Sequence, residues 1–271
     1  MKTIYLTLAA VLGVLVLPGC LQSETTIHLN KDGSGTLVEE TRLGRQMLAM
    51  IDQMSALGGP EGAKEDPLAK MFTPDKAKAR AAELGEGVTF EKSEAITANG
   101  AKGARVTYHF KDINTLKISP GDSLKNLSPM GGAHGPAAAK DAPLSLAYAD
   151  GKLTLLMPIP TPAEGPAAEA PGPPDMDNPD AQAMMKEMFS DMKMSIKLVV
   201  DSGIAATNAT YQDGNTITLM DINMGKLLDK PEVMVLLSKA DRHNPAAAMQ
   251  TLKGVPGVKF ETQKEVTVKI R

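Results

Sequence analysis

What most constrains the fold of this chain is a period-two alternation of apolar and polar residues, broken at short intervals by Gly, Asn and Asp clusters. The clearest instance runs Leu144, Leu146 and Tyr148, then Asp150-Gly151, then Leu153, Leu155, Met157 and Ile159. Successive strand side chains point to opposite faces, so such a segment buries one face and leaves the other in water. Asp-Gly accepts the left-handed backbone of a two-residue hairpin turn. The pattern recurs. Ile27 and Leu29 alternate with Thr26 and His28, the Asn30–Gly35 cluster turns the chain, and Thr36–Arg42 is again extended, which predicts a hairpin. Val88–Ala98 reads as a strand, Asn99-Gly100 as a turn, and Arg105–Phe110 as a strand with Val106, Tyr108 and Phe110 inward. Ile196, Leu198 and Val200 mark another strand. Ala205–Tyr211, Asp213-Gly214-Asn215 and Thr216–Asp221 predict one more hairpin, and Val258–Ile270 a single closing strand. Tight turns between neighbouring strands imply antiparallel pairing.

Between these stretches the period changes. Met47, Leu48, Ile51, Met54 and Leu57 share one helical face within Arg45–Leu57. Thr73-Pro74 opens a second helix, with Thr as cap and Pro in the first turn, and Gly85 ends it after Leu84. Asn178-Pro179 opens a third, to about Lys193, and Pro231–Ala240 and Asn244–Lys253 also read as helical. Gly58–Asp66 and Ile118–Pro143 are loop-like, and Pro160–Pro174 is too poor in large apolar side chains to pack. The expected class is α+β: a mainly antiparallel sheet built from hairpins, with helices inserted between strands. The expected divisions are a leader over 1–19, an N-terminal α+β part over 20–159 with a helical insert, a linker over 160–177, and a C-terminal α+β part over 178–271 that completes the same sheet. Two echoes stand out. Gly87-Val88-Thr89-Phe90-Glu91 after one helix matches Gly257-Val258-Lys259-Phe260-Glu261 after another, and Asp112-Ile113-Asn114 matches Asp221-Ile222-Asn223. They are either a repeated unit or convergence of capped helices followed by strands.

The first residues carry a targeting pattern. Lys2 is followed by an uncharged apolar run, Ile4–Val16, and then by Leu17-Pro18-Gly19-Cys20. The run is short for a membrane span, which needs about 20 residues, and fits the apolar core of a secretory signal. Leu17, the small Gly19 and Cys20 resemble the lipobox of bacterial lipoproteins, although Pro18 stands where Ala or Ser is usual. That resemblance implies a diacylglyceryl group on the Cys20 thiol, cleavage before Cys20 and acylation of the new amine. Each buried CH₂ contributes about 0.8 kcal/mol, so two or three acyl chains hold a protein on a membrane. Leu21 rather than Asp follows the cysteine, which under the Gram-negative sorting rule implies the outer membrane, facing the periplasm. An ordinary signal peptide with a coincidental cysteine is the competing reading.

Composition narrows the chemistry. Cys20 is the only cysteine of 271 residues, which forbids an internal disulfide and a Cys-rich metal site. A net charge of −3 supplies no basic field for nucleic acid, and aromatics at 3% leave few stacking platforms for bases or sugars. Asn30–Leu37 has the early oxygens of a calcium loop, but Thr41 stands at position 12 where Glu is needed, so a Gly-rich hairpin turn is the better reading. Met184, Met185, Met188 and Met192, with Met194 beyond, crowd one predicted helix and its exit. Their spacing suits core packing or an adaptable apolar surface for a ligand or partner, more than a copper(I) site. His28 and His109 sit on the polar phase of their strands, and no histidine has another at metal spacing. Ser190-Asp191-Met192-Lys193 matches S-x-x-K, but at a helix end and without companion motifs. No cofactor is called for, and no catalytic constellation is present in the sequence.

The order of features resembles the LppM-like bacterial envelope lipoproteins. The lipobox cysteine, the early hairpin with Asp32-Gly33-Ser34-Gly35, the helical insert and the strand ending Phe110-Lys111-Asp112-Ile113 carry the likeness. So do Asp150-Gly151-Lys152-Leu153, the Ile196–Val200 strand, Asn208-Ala209-Thr210 and Asp213-Gly214-Asn215. The likeness covers roughly residues 17–223 and implies an envelope-anchored α+β domain without catalytic residues. The expected function is therefore a membrane-anchored, non-catalytic binding or accessory domain for a hydrophobic ligand or envelope protein, held through acyl chains on Cys20. A purely structural lipoprotein and an unrecognised enzyme are the alternatives.

Overall fold

The computed structural model describes residues 21–57, 71–98, 100–120, 143–158, 186, 190–230, 233 and 252–271. Strands predominate. β1 (Leu21–Leu29) and β2 (Gly35–Leu43) form the first hairpin, with Ile27 opposite Leu37. Helix α1 (Arg45–Leu57) and helix α2 (Pro74–Leu84) follow, with the bounds their caps and periodicity predict. β3 (Thr89–Ala98) and β4 (Ala101–Phe110) pair around Gly100. β5 (Ser145–Ala149) and β6 (Lys152–Leu156) pair across Asp150 (φ 50°) and Gly151 (φ 72°), two left-handed residues in succession, as a type I′ turn requires. β7 (Lys193–Val200), β8 (Ile204–Thr207), β9 (Gln212–Asp213), β10 (Thr216–Asn223), helix α3 (Met224–Leu228), β11 (Val258–Phe260) and β12 (Glu265–Ile270) complete the described elements.

These strands form two sheets. The larger has the order β11-β10-β7-β1-β2-β4-β3, with β9 attached to β10, and the smaller has the order β5-β6-β12-β8. Every neighbouring pair is antiparallel except β1 and β7, which run parallel with Ile27 opposite Leu198. Three expectations are corrected. Thr216–Asp221 does not form its hairpin with Ala205–Tyr211: only β9 pairs with β10 there, while β8 crosses to the smaller sheet and pairs with β12. Asn208 explains the departure, because its side chain accepts from the Thr267 amide (2.7 Å) and donates to the Glu265 carbonyl (2.9 Å). Val258–Ile270 is not one strand but two, β11 and β12, in different sheets. At the break the buried Glu261 carboxylate accepts from the amides of Thr210 and Gln263, both at 2.8 Å, and from the Thr210 hydroxyl at 2.6 Å. Lys193, expected at the end of a helix, opens β7 instead. Most of the third predicted helix, most of those over 231–253, and the 160–177 linker lie outside the described residues.

The large sheet is two-faced. On one face Ile27, Leu29, Leu37, Phe110, Leu198 and Val200 are at 0% exposure, and they meet Leu153, Leu155, Val266 and Val268 of the small sheet in one core. Burying an aliphatic or aromatic side chain stabilises by about 1.5–3 kcal/mol each, so this interface is the main source of stability. Helix α2 covers part of the same face through Ala77, Ala81 and Leu84. The other face carries polar rows. One runs across every main strand in register: Lys259, Asp221, Ser195, Glu24, Glu40, Arg105, Glu94. An antiparallel sheet can leave such a face in water. A second, smaller core of Leu227, Val233 and Val258 closes the β10/β11 end.

The two sequence echoes occupy opposite edges of the large sheet, since β3 and β11 are its outermost strands. Their pairing differs. Thr89 lies opposite His109, before the Asp112 tripeptide, whereas Lys259 lies opposite Asp221 itself. That offset favours convergence on a capped-helix-to-edge-strand pattern over duplication of one unit.

Candidate functional site: a cleft beneath helix α2

Helix α2 is positioned from both ends. The Thr73 hydroxyl accepts from the Lys76 amide (3.3 Å), satisfying a donor that the first turn leaves open. At its end Gly85 (φ 141°) lies so close to the Thr115 carbonyl that a Cβ would collide with it. The Lys117 amide donates to the Leu84 carbonyl (2.8 Å) and ties the helix to the following loop. The small side chains of Ala77 and Ala81 let the helix approach the sheet. Toward its N-terminal half it stands off, leaving a cleft of about 320 Å³ over β2 and β4.

The cleft combines two surfaces. Met71, Phe72, Ala77, Ala104 and Val106 supply an apolar lining, and Thr41, Glu39, Arg80 and Tyr108 supply polar atoms. Arg80 donates through Nη2 (3.0 Å) and Nε (3.3 Å) to Glu39 Oε1, and through Nη1 (3.3 Å) to Glu83. The Arg80 and Glu39 side chains are only 12% and 18% exposed, so this pair lies mostly out of water. Burial, reinforced by the neighbouring Glu39 carboxylate, pushes the Tyr108 phenol well above its ordinary value, with Arg80 acting the other way. The phenol therefore stays a neutral donor beside a fixed ion pair. An apolar lining with a few convergent polar groups is the composition of small-molecule sites, and the volume lies at the lower end of their range, about 300 Å³.

The sequence does not announce this site. Glu39, Arg80 and Tyr108 are far apart in the chain and meet only through the β2–β4 register and the docking of α2. One signal was present: Glu39 shares the inward phase of β2 with Leu37 and Leu43, and Arg80 lies on the α2 side that carries Ala77 and Ala81. A charged residue on an inward phase needs a partner.

The sequence-predicted positions fall elsewhere. Leu17, Pro18, Gly19 and Cys20 lie outside the described residues, as do Met184, Met185 and Met188. β1 begins at the very next residue, Leu21, whose side chain is buried. Met192 is half-buried against the main core, its carbonyl accepts from the Met224 amide (2.9 Å), and Met194 is a buried residue of β7. His28 and His109 share one row on the polar face, but β2 and Thr36 stand between them. Two strand spacings put them roughly 10 Å apart, and His28 Nδ1 lies 3.3 Å from Asp201 instead. Asn30–Gly35 is a hairpin turn: Asp32 Oδ1 accepts from the Ser34 hydroxyl (2.6 Å) and amide (2.9 Å), which holds the Asp32 carboxyl below its usual value. Among the described residues, no three His, Cys, Asp or Glu side chains cluster so as to hold a metal ion. No described helix is long and apolar enough to cross a membrane.

The described residues define a β-rich domain with helices and a mixed apolar–polar cleft. Neither a protein-family model nor a curated protein matches the chain. Among solved structures, the NMR structure of the folded domain of Mycobacterium tuberculosis LppM is similar, with 11% identity over 83% of this chain and 89% of that one, at a TM-score of 0.31. That is a weak likeness of fold alone, and it says nothing of ligand or activity.

Proposed function

We propose that the chain is an envelope lipoprotein, anchored through acyl chains on Cys20, whose domain binds an amphiphilic small molecule without transforming it. The observation that carries the reading is the cleft under α2: an apolar floor of Ala104 and Val106 beside the enclosed Glu39–Arg80–Tyr108 group. An apolar tail suits the floor, and a neutral polar head suits polar atoms already in charge balance. Its place in the sheet also favours access from a membrane. The floor residue Thr41 pairs with Ser23, three residues beyond Cys20, or roughly 10 Å along the strand. Met192, Met185, Met188 and Met184 remain a candidate surface for an envelope partner. The outer membrane, facing the periplasm, is the proposed location, on the strength of Leu21 after the cysteine.

Two measurements test this. Radiolabelled palmitate should label the wild type and not a Cys20→Ser variant, and an unlabelled wild type would sink the anchor. N-phenyl-1-naphthylamine, an apolar fluorophore, should brighten on binding the chain, and Ala104→Leu should abolish the signal by filling the floor. Equal fluorescence from a correctly folded Ala104→Leu chain would remove the cleft from the proposal.

A further inference from the structure

The cleft beneath α2 has a polar side and an apolar side. Glu39 and Thr41 stand on the inward phase of β2, and the register sets each beside a residue of the β4 floor, Glu39 opposite Val106 and Thr41 opposite Ala104. Oxygen atoms therefore line the β2 side and hydrocarbon the β4 side, with Phe72 continuing the hydrocarbon ahead of the helix. The polar side is rich in acceptors. Both bonds from Arg80 to Glu39 fall on Oε1, at 3.0 and 3.3 Å, which leaves Oε2 outside the ion pair. The Tyr108 phenol donates to the same carboxylate, so toward a ligand its oxygen can only accept. The Thr41 hydroxyl is of the kind that both gives and accepts. Charge narrows the ligand further. Arg80 is shared between Glu39 and Glu83, and Lys76 is exposed at the rim, so the two acids and two bases of the lining balance. A charged head would set an unpaired charge beside the enclosed Glu39–Arg80 pair.

We infer that the amphiphile this cleft takes is headed by a hydroxyl group, in the class of a fatty alcohol or a monoacylglycerol. Its hydroxyl donates to the Glu39 carboxylate and accepts from Thr41, and its tail lies on Ala104 and Val106. The inference rests on the reading of the cleft as an amphiphile site and names the class of molecule that fits it. A hydroxyl is uncharged and is donor and acceptor at once, which is what an acceptor-rich group in charge balance requires. An ester carbonyl offers only acceptors to a row of acceptors, and the buried carboxylate oxygen would lose its water without a replacement bond. A carboxylate head meets the same oxygens with a like charge, and an ammonium head meets the Arg80 guanidinium.

The test is a displacement series on the full chain, reading only the part of the N-phenyl-1-naphthylamine fluorescence that Ala104→Leu removes. Decanol, methyl decanoate, decanoate and decylammonium share one tail and differ in the head. Decanol should displace the dye at a concentration roughly tenfold below the other three, the effect of one hydrogen bond to a charged group. Displacement by methyl decanoate at the same concentration as decanol means that only the apolar side is read, and overturns the inference. So does equal or better displacement by decanoate or by decylammonium, which would assign the head to Lys76 and Arg80 or to an uncompensated Glu39. Glu39→Gln supplies an amide that donates as well as accepts, so it should bring methyl decanoate to within about twofold of decanol; a preference left intact in this variant removes Glu39 from the role. Each of these failures leaves the amphiphile reading standing, because the dye is still displaced. A dye signal that Ala104→Leu does not change defeats that reading itself, and the head group with it.

Discussion

The two faces of the large sheet are built from the same strands and obey different physics. On the covered face, Leu37 and Phe110 are at 0% exposure and meet the small sheet. On the polar face, neighbours along the same strands, Glu24, Glu40 and Arg105, form a mesh of ion pairs partly open to water. The difference teaches where stability and adaptability reside. Aliphatic burial accumulates with area, whereas exposed pairs each contribute roughly 0–1 kcal/mol and are screened by salt. Glu24 and Glu40 stand directly opposite one another, a like-charge contact that destabilises unless cations flank it. Lys197 (3.0 Å from Glu24) and Arg105 (2.7 Å from Glu40) provide those cations, with Arg42 also on Glu40. The cleft is intermediate, since Glu39 and Arg80 are charges placed on the covered face.

Five experiments sharpen or break this contrast, the first three of them substitutions read by unfolding. Phe110→Ala should cost about 3–5 kcal/mol in urea unfolding, the range for a fully buried aromatic; a loss below 1 kcal/mol would mean the sheet-to-sheet contact is not the main core. Arg80→Ala should cost about 1–3 kcal/mol, because it leaves the Glu39 carboxylate enclosed without its cation, less than for a fully buried pair. Arg105→Ala, on the polar face, should cost under about 1 kcal/mol, because Arg105 itself is half exposed and Arg42 remains paired with the enclosed Glu40. Equal losses from the two arginine variants would erase the distinction between the faces.

The pH dependence separates the faces as well. Tyr108 has a raised phenol pKa in the fold, so its contribution is complete below the ordinary tyrosine value of 10.0 and is lost as pH rises beyond it. Ultraviolet titration should show Tyr108 ionising last, together with unfolding, and a Tyr108 that ionises with the exposed phenols would contradict its burial. Glu24 is the smallest case. Burial would raise its pKa, but the hydrogen bond and charge of Lys197 outweigh it, followed by the Ser195 hydrogen bond and Lys193. Its depressed pKa means that the contribution is present above the ordinary value of 4.5 and fades as pH falls through the lower one. Glu24→Gln should therefore flatten the acid side of the stability profile slightly, by less than about 1 kcal/mol, and high salt should hide the change.

Much of the local structure is legible residue by residue. Thr73 and Gly85 bound α2, Asp150-Gly151 turns β5 into β6, and Ile27, Leu29, Val106, Tyr108 and Phe110 are buried on the phase their alternation predicts. The cleft was not legible, because its polar atoms come from β2, α2 and β4, and no spacing within one element joins them. The broken C-terminal strand was hidden for a related reason. Glu261 follows Phe260 in an ordinary alternation, and only its bonds to Thr210 and Gln263 across the fold show that the chain turns there.

By itself, the sequence determined which residues alternate, where the chain turns, and which side chains each strand must hide, because these follow from backbone geometry within a few residues. It also placed the only cysteine directly before the first strand. Tertiary structure decided the partners: β7 parallel to β1, β8 and β12 in the small sheet, β3 and β11 at opposite edges. A period of two specifies a face but not a neighbour. That choice is made among distant segments, by the fit of their apolar faces and by buried polar groups such as Glu261 and Asn208 that accept only certain partners.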